Sequence, residues 1–338
     1  MEIGKISWQS PSNIAIVKYW GKRDLQIPLN PSLSFTLDRC NTITNLDYKS
    51  GNGKINFLYE GQENAAFAIK VIKFIDTLNL EFLSHYDIII DSVNNFPHSA
   101  GIASSASSMS ALSLCLTDLE RKFRSSEIDF LKTASTRSRM GSGSACRSVY
   151  PIAAIWGQFI QNPLSSNNYA LDWSNEIHEE FKSLNDWIMI VDKAEKPVSS
   201  SAGHTLMINH PYRNARIIQA RKNIVELIEA LSNGHWDNFI RITEEEALSL
   251  HALMMSSSPG YILLEPESLH IIKSIQRLRS ETHYPIAFTI DAGPNIHILF
   301  PDKYSEFMKS WLKAEYGNYV SHDRIIFDKI GLGPKKLQ

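Results

Sequence analysis

Three cysteines in 338 residues (Cys40, Cys115 and Cys146) are too few and too far apart for a disulfide framework or a zinc site. Charge of one sign is also missing. With 34 Lys+Arg against 36 Asp+Glu the formal net charge is -2, which offers no general attraction for nucleic acid or an anionic membrane. Any anion must therefore be bound by a local cluster. No apolar run approaches the ~18 residues of a bilayer span. Met1 to Ser10 is mixed polar and lacks the apolar core of a signal peptide, so a cytoplasmic protein is expected. The phosphate-loop pattern Gly-x-x-x-x-Gly-Lys-Ser/Thr is absent, as are the protein-kinase triplets His-Arg-Asp and Asp-Phe-Gly. There is no internal repeat and no low-complexity tract.

What is present is an ordinary globular composition, 43% apolar and 21% charged, in a chain long enough for two lobes. Ile14–Val17, Ser32–Leu37 and Ile55–Tyr59 read as short strands separated by Gly, Pro and Asn. Ala65–Leu78 has helical spacing, Tyr86–Val93 reads as a strand, and Ser104–Leu119 as a small-residue helix. Ser126-Glu-Ile-Asp129 resembles a capping box for a helix that stops near Gly141. Later come a strand from Trp187 to Val191, helices at about 204–232, 235–256 and 265–280, and a hairpin of Ile286–Ile290 with Ile296–Phe300. A helix near 303–315 and a strand Arg324–Phe327 close the chain. The polar segment Gln161–Lys182 reads as the boundary between lobes. Strands grouped with helices, without βαβ regularity, predict an α+β fold.

Five stretches carry candidate chemistry. Gly141-Ser-Gly-Ser-Ala-Cys-Arg147 crowds glycines and hydroxyls around one arginine, which favours an anion nest over a plain loop. Cys146 has no base nearby in sequence and reads as a packed thiol. Asp291-Ala-Gly-Pro-Asn295 puts a carboxylate where an apolar run breaks into a turn; it is costly to bury unless a cation such as Lys18 or Arg147 pairs with it. Ala100-Gly-Ile-Ala-Ser-Ser-Ala-Ser-Ser108 opens a helix and suits a phosphate, although a capped, closely packed helix explains it equally well. Lys18-Tyr-Trp-Gly-Lys22 could converge two lysines on one anion across Gly21, but a solvated strand end with surface lysines is the expected reading, with Trp20 in the core. In Ser199-Ser-Ser201, one serine is expected to cap the next helix. The histidines near these segments, His98, His204, His251 and His297, match no metal spacing.

Together these segments resemble the mevalonate diphosphate decarboxylases of the galactokinase–homoserine kinase–mevalonate kinase–phosphomevalonate kinase superfamily. The resemblance runs through Ser12–Asp24, Asn30–Ser34, Asn95–Pro97, Ala100–Ser108, Arg139–Arg147, Thr289–Asn295 and Ile325–Leu337, nearly the whole chain. The lysine-tyrosine-tryptophan-glycine-lysine and glycine-serine-arginine segments are specific to the decarboxylases; the serine loop is superfamily-wide. The resemblance implies a two-lobed fold with a cleft between lobes. Residues 1–184 would form an N-terminal nucleotide-binding lobe like domain 2 of ribosomal protein S5. Residues 185–338 would form a ferredoxin-like lobe carrying the aspartate turn.

It also implies ATP-dependent conversion of (R)-5-diphosphomevalonate to isopentenyl diphosphate, carbon dioxide, ADP and phosphate. Asp291 would sit by the 3-hydroxyl, Lys18 would pair with Asp291, and Arg147 would clamp the substrate carboxylate. Substrate contacts would come from Tyr19, Trp20, Gly21, Lys22, Ser142, Gly143, Ser144, Ala145, Cys146, Arg147, Ser200 and Ser201. Gly101, Ser104, Ser105, Ser107 and Ser108 would cradle ATP, with Mg2+ held through its phosphates and by Ser105. The resemblance implies a homodimer as well. It usually has threonine and alanine where this chain has His98 and Ser99, and commonly methionine in place of His204. Neighbouring readings are a mevalonate 5-phosphate decarboxylase, a mevalonate 3-kinase, or a catalytically silent ligand sensor. Retention of Asp291, Lys18, Arg147 and the serine loop favours the full reaction.

Overall fold

A computed structural model describes residues 2–97, 102–123, 128–194 and 198–338. In chain order the first elements are β1 (Ile3–Val17), β2 (Ser32–Ser50), β3 (Ile55–Tyr59), β4 (Gln62–Glu63), α1 (Ala65–Thr77), β5 (Tyr86–Asn94), α2 (Ser104–Phe123) and α3 (Phe130–Gly141). Then come β6 (Ala153–Trp156), β7 (Ala170–Asp172), α4 (Glu179–Lys182), β8 (Leu184–Met189), α5 (Ser200–Leu206), α6 (Arg213–Asn233) and α7 (Trp236–Met255). The last are α8 (Pro266–Thr282), β9 (Ala287–Thr289), β10 (Ile296–Pro301), α9 (Ser305–Glu315), α10 (Gly317–Ser321), β11 (Ile325–Lys329) and β12 (Lys335–Lys336).

One sheet has the order β12-β1-β2-β5-β3-β4, with β6 also on β2 and β7 on β6. Among the described residues only β3 and β5 pair parallel in it. The other is β11-β8-β10-β9, antiparallel throughout. This is an α+β molecule, and the β9–β10 hairpin joins Ala287 to Leu299 as its alternation predicts.

β1 and β2 are much longer than the apolar patches Ile14–Val17 and Ser32–Leu37. Their remaining length carries polar side chains that are nevertheless buried, among them Ser7, Ser10, Asn13, Thr42 and Thr44. A buried hydroxyl needs a partner; α2 supplies those of Ser10 and Thr42, while Ser7 bonds Asn45 of β2 and Thr44 bonds Ser92 of β5. Ser10 Oγ donates to Ser110 Oγ at 2.7 Å, and Thr42 Oγ1 lies 2.6 Å from Ser107 Oγ. Away from that seam, α1, α2 and α3 cover the first sheet with an apolar core around Phe74, Leu114 and Trp156. A second core joins Ile14, Leu33 and Phe35 of the first sheet to Ile188 of β8 and to Leu227 and Phe239 of α6 and α7.

One expectation needs correcting. The single helix expected over 204–232 is broken into α5 and α6 around Pro211, which has no N–H to continue a helix. His210 fastens the break: its Nε2 bonds the Leu253 carbonyl at 3.0 Å, and its Nδ1 accepts the Tyr212 N–H at 3.1 Å. The polar segment Gln161–Lys182, read as the boundary between lobes, is itself structured: β7 pairs with β6, and Ala170 and Phe181 are fully buried. At α3, Asp129 accepts the Lys132 N–H at 3.2 Å as the N-cap, while Ser126 and Glu127 lie outside the described residues.

After β11 the chain recrosses to the first sheet. There Gly331 N–H donates to the Thr36 carbonyl at 2.8 Å, and β12 lies beside Trp8 and Gln9. Buried Asp328 is the clip between the sheets. Its Oδ1 accepts the Asp38 and Arg39 N–H groups at 3.0 and 2.8 Å, and its Oδ2 accepts that of Cys40 at 2.9 Å. Asp328→Ala would leave these three backbone donors, and the Lys329 N–H that also bonds Oδ1 at 2.7 Å, without their acceptor. It is expected to lower the stability by about 3 kcal/mol or more, read as a shift in the urea midpoint at unchanged slope.

Candidate active site

β1 is irregular at Asn13 and again at Val17, and bulges of this kind turn a strand end toward a new direction. Here they deliver Lys18. Far from being a surface lysine, Lys18 is 1% exposed, and its Nζ donates to Asp291 Oδ1 at 2.8 Å. Burial lowers its pKa, opposed by Asp291 first and then by Glu246 and Asp186. Asp291 sits in the loop between β9 and β10. Its carbonyl is held by Gly293 N–H at 2.7 Å and by His251 Nε2 at 3.0 Å.

The peptide of Lys18 is gripped on both sides. Its N–H donates to Glu246 Oε2 at 2.9 Å; its carbonyl accepts from Arg216 Nη2 at 3.1 Å and Asn30 Nδ2 at 3.0 Å. Arg216 and Glu246 form a fully buried pair at 2.5 Å, and Asn223 Nδ2 donates to Glu246 Oε1 at 2.8 Å. Sequence reading misses Arg216, Asn223 and Glu246. Their one signal is a charge set on helix faces that otherwise carry apolar residues such as Ala220, Leu227, Ala247 and Leu250.

The segment after α3 makes a tight 3-10 turn, Gly143–Arg147, that presents Ser144 and Arg147 on one side and turns Ala145 and Cys146 to the other. Ser142, Gly143, Ser144 and Arg147 line a cavity of about 610 Å³ together with Lys18, Tyr19, Trp20, Lys22 and Asp291. Ala145 and Cys146 do not; both are completely buried on the other side of the turn, contrary to their place in the expected substrate set. Cys146 is a packed thiol: it donates to the Gly143 carbonyl at 3.0 Å, and burial pushes its pKa up to about 12. Gly143 is required by space, since a Cβ there would fall 2.7 Å from the Tyr19 ring.

Arg147 is 1% exposed. Its Nε donates to Ser34 Oγ at 2.9 Å, Nη1 to Ser32 Oγ, and Nη2 to Asn13 Oδ1 at 3.4 Å. Those partners are neutral, so among the described residues the guanidinium has donors satisfied but no ion pair. Burial lowers its pKa, and nearby Asp291 acts the other way.

On the opposite wall, Lys22 Nζ donates to Gln26 Oε1 at 2.8 Å and burial lowers its pKa. Gly21 stands at φ +91° and does not itself line the cavity. Ser200 and Ser201 line it from the first turn of α5, while Ser199 caps that helix by accepting the Ala202 N–H at 3.2 Å. Of the expected phosphate-loop serines, Ser105 reaches the cavity and lies 3.2 Å from Ser142 Oγ. Ser104 opens α2 and is buried. Ser107 and Ser108 turn away: both donate to the Ser104 carbonyl, at 3.1 and 2.8 Å, because their helix face packs on β2. Gly101, with His98 and Ser99, lies outside the described residues. Lys70 and Lys73 of α1, which periodicity marks only as the polar side of an amphipathic helix, line the same cavity.

The donor set suits polyphosphate: lysines, hydroxyls, a helix start and an arginine, with one carboxylate. Among the described residues no group of three or more His, Cys, Asp or Glu could hold a metal ion. Magnesium therefore fits only as an ion carried on phosphate oxygens and water, its usual manner of binding.

His251 gives a stability signature for this site. Burial lowers its pKa from 6.5 to about 4. Between those values the unfolded chain binds the proton and the folded chain does not, so stability falls as pH drops below 6.5 and is level above. The loss is expected to approach about 3 kcal/mol by pH 4. Denaturation midpoints at pH 7.5, 5.5 and 4.5 read it, and His251→Gln should flatten that part of the profile.

Comparison with known proteins identifies the family. Residues 10–166 match the family model of the diphosphomevalonate decarboxylase-like N-terminal domain, and residues 187–336 that of the mevalonate 5-diphosphate decarboxylase C-terminal domain. A diphosphomevalonate decarboxylase of Ganoderma lucidum is 31% identical, over 90% of this chain and 80% of that protein. The crystal structure of mevalonate diphosphate decarboxylase from Staphylococcus aureus superposes with a TM-score of 0.86 at 27% identity, covering 100% of this chain and 99% of that one. A structure of the enzyme designated MDDEF, in complex with MVAPP, AMPPCP and magnesium, gives 0.83 at 26% identity with full coverage of both chains. The chain belongs to the diphosphomevalonate decarboxylase family.

Proposed function

We propose that this chain catalyses the ATP-dependent decarboxylation of (R)-5-diphosphomevalonate to isopentenyl diphosphate, releasing carbon dioxide, ADP and phosphate. The observation that carries the reading is the meeting of three remote segments in one cavity. An acid at 291 is bonded at 2.8 Å to the lysine at 18, with an arginine at 147 beside them that has no ion pair among the described residues. The MDDEF complex with MVAPP, AMPPCP and magnesium supports the choice of substrates. A cytoplasmic place of action belongs to the same reading, and no described helix is long and apolar enough to cross a membrane.

The residues divide the work as follows. Asp291 accepts or orients the proton of the tertiary 3-hydroxyl as its oxygen takes the γ-phosphoryl group of ATP. Lys18, fixed by its gripped peptide, keeps that carboxylate aimed. Phosphoryl transfer demands positioning and neutralised charge more than covalent help. Magnesium, carried on the nucleotide, would neutralise phosphate charge. Arg147 holds the substrate carboxylate by charge-assisted bonds. When the 3-phosphate leaves with the C–O electron pair, the C–C bond to the carboxylate breaks. Its electrons form the double bond, and carbon dioxide departs. Tyr19, Lys22, Ser142, Gly143, Ser144, Ser200 and Ser201 bind the diphosphate and carboxylate ends, Ser105 and the start of α2 the nucleotide phosphates, and Lys70 and Lys73 add positive charge to the wall.

Asp291→Asn is expected to cut turnover by about 10²–10⁴-fold while substrate binding, followed by calorimetry, persists. Arg147→Gln should lose carbon dioxide release as well; unchanged turnover in either variant removes that residue from the mechanism. ADP formation and carbon dioxide capture, run in parallel on diphosphomevalonate and mevalonate 5-phosphate, test the substrate. Equal rates on both, or ADP without carbon dioxide, would replace this reading with one of its neighbours.

A further inference from the structure

The surroundings of His204 give it a specific task. It lies on the last turn of the short helix α5, 7% exposed, three residues beyond Ser201. Its Nδ1 accepts the Gly21 N–H at 2.9 Å. A ring nitrogen that accepts a hydrogen bond carries no proton, so the neutral ring keeps its hydrogen on Nε2. The imidazole also stacks obliquely on Tyr19, centroids 4.4 Å apart, and on Trp20 at 4.7 Å. The preceding residue is Gly203, where a Cβ would fall 2.6 Å from the Trp20 ring, so α5 lies directly against the 19–22 turn.

Gly21 is the pivot of that turn. Its left-handed φ of +91° lets the chain reverse and carries Lys22 back to the cavity wall. Without His204 the Gly21 N–H would be a buried donor lacking its acceptor, which costs free energy and loosens the turn. A methionine at 204 would fill the space, but its thioether is only a weak acceptor. This chain thus fastens two walls of the cavity with one directional bond where packing alone would otherwise serve. One wall carries Tyr19 and Lys22, the other Ser200 and Ser201.

We propose that His204 is a positioning residue for the phosphate-bearing end of the substrate, acting through the Gly21 N–H to hold the Tyr19–Lys22 turn against α5. The proposal rests on the functional reading above and adds a residue to it.

Three variants separate the bond from the ring. His204→Phe keeps an aromatic ring and removes the acceptor. His204→Asn places an amide oxygen near the position of Nδ1 and removes the ring. His204→Met fills the volume with a weak acceptor, and repeats the phenylalanine test should that ring crowd α5. For His204→Phe, KM for diphosphomevalonate is expected to rise about 10- to 100-fold, with kcat and the KM for ATP within about threefold of the parent. His204→Asn should recover most of that loss. Binding of inorganic pyrophosphate, measured by calorimetry without turnover, should weaken in the same order.

The proposal is overturned if His204→Phe leaves both KM and pyrophosphate affinity unchanged. It is also overturned if kcat and both KM values move together, or if His204→Asn is no better than His204→Phe. A parent enzyme that binds pyrophosphate in this order yet releases no carbon dioxide would sink the functional reading and leave the role of His204 standing.

Discussion

A lysine withdrawn from water needs a negative partner, and much of this molecule is arranged around meeting that need for Lys18. Its amine meets Asp291 at 2.8 Å, although 273 residues separate them along the chain. Its peptide is fixed by a second pair, Arg216 with Glu246, which is itself out of water. Buried ion pairs contribute little net stability against apolar replacements, and removing one partner is far costlier than never having the pair. The arrangement is better understood as orientation than as stabilisation. Both charges of the second pair are spent on one peptide, its N–H toward Glu246 and its carbonyl toward Arg216. α6, α7, β1 and the β9–β10 loop are thereby tied to a single lysine.

With Lys18 matched to Asp291, the cavity keeps the charges that are not matched. Arg147 is bonded to hydroxyls and an amide, and Lys22 to an amide oxygen. Neutral partners hold these cations in place without cancelling their field, which in a recess shielded from solvent is felt strongly by a multiply charged anion. A chain whose overall charge is nearly balanced can therefore concentrate attraction where substrates bind and remain indifferent to other polyanions.

Much of this was legible in the residues. Gly141–Arg147 and Asp291–Asn295 declared themselves because glycines, hydroxyls and a lone charge in a short span have few structural explanations. The β9–β10 hairpin and most helices followed from apolar period. What stayed hidden has a common physical origin, in polar groups satisfied by partners distant in sequence. β1 and β2 lost their alternation because Ser10 and Thr42 face hydroxyls of α2. Lys18 looked like a surface residue because nothing local announces an acid 273 positions away. Glu246 and Arg216 were invisible for the same reason. Ser107 and Ser108 misled in the opposite direction, since a serine packed against a strand is indistinguishable, in sequence, from one that faces a phosphate.

The placement of β12 has a bearing on how the chain is made. Its two lysines complete the open side of β1, next to Trp8, and Lys336 Nζ reaches Asp118 at 2.6 Å. A ribosome delivers β12 more than 300 residues after β1. Throughout that interval the Ser7–Gln9 stretch of β1 is bare backbone on its outer side, able to pair with any extended segment nearby. Nascent molecules of this kind carry an obligate window of exposure, closed only when residue 336 clears the exit tunnel.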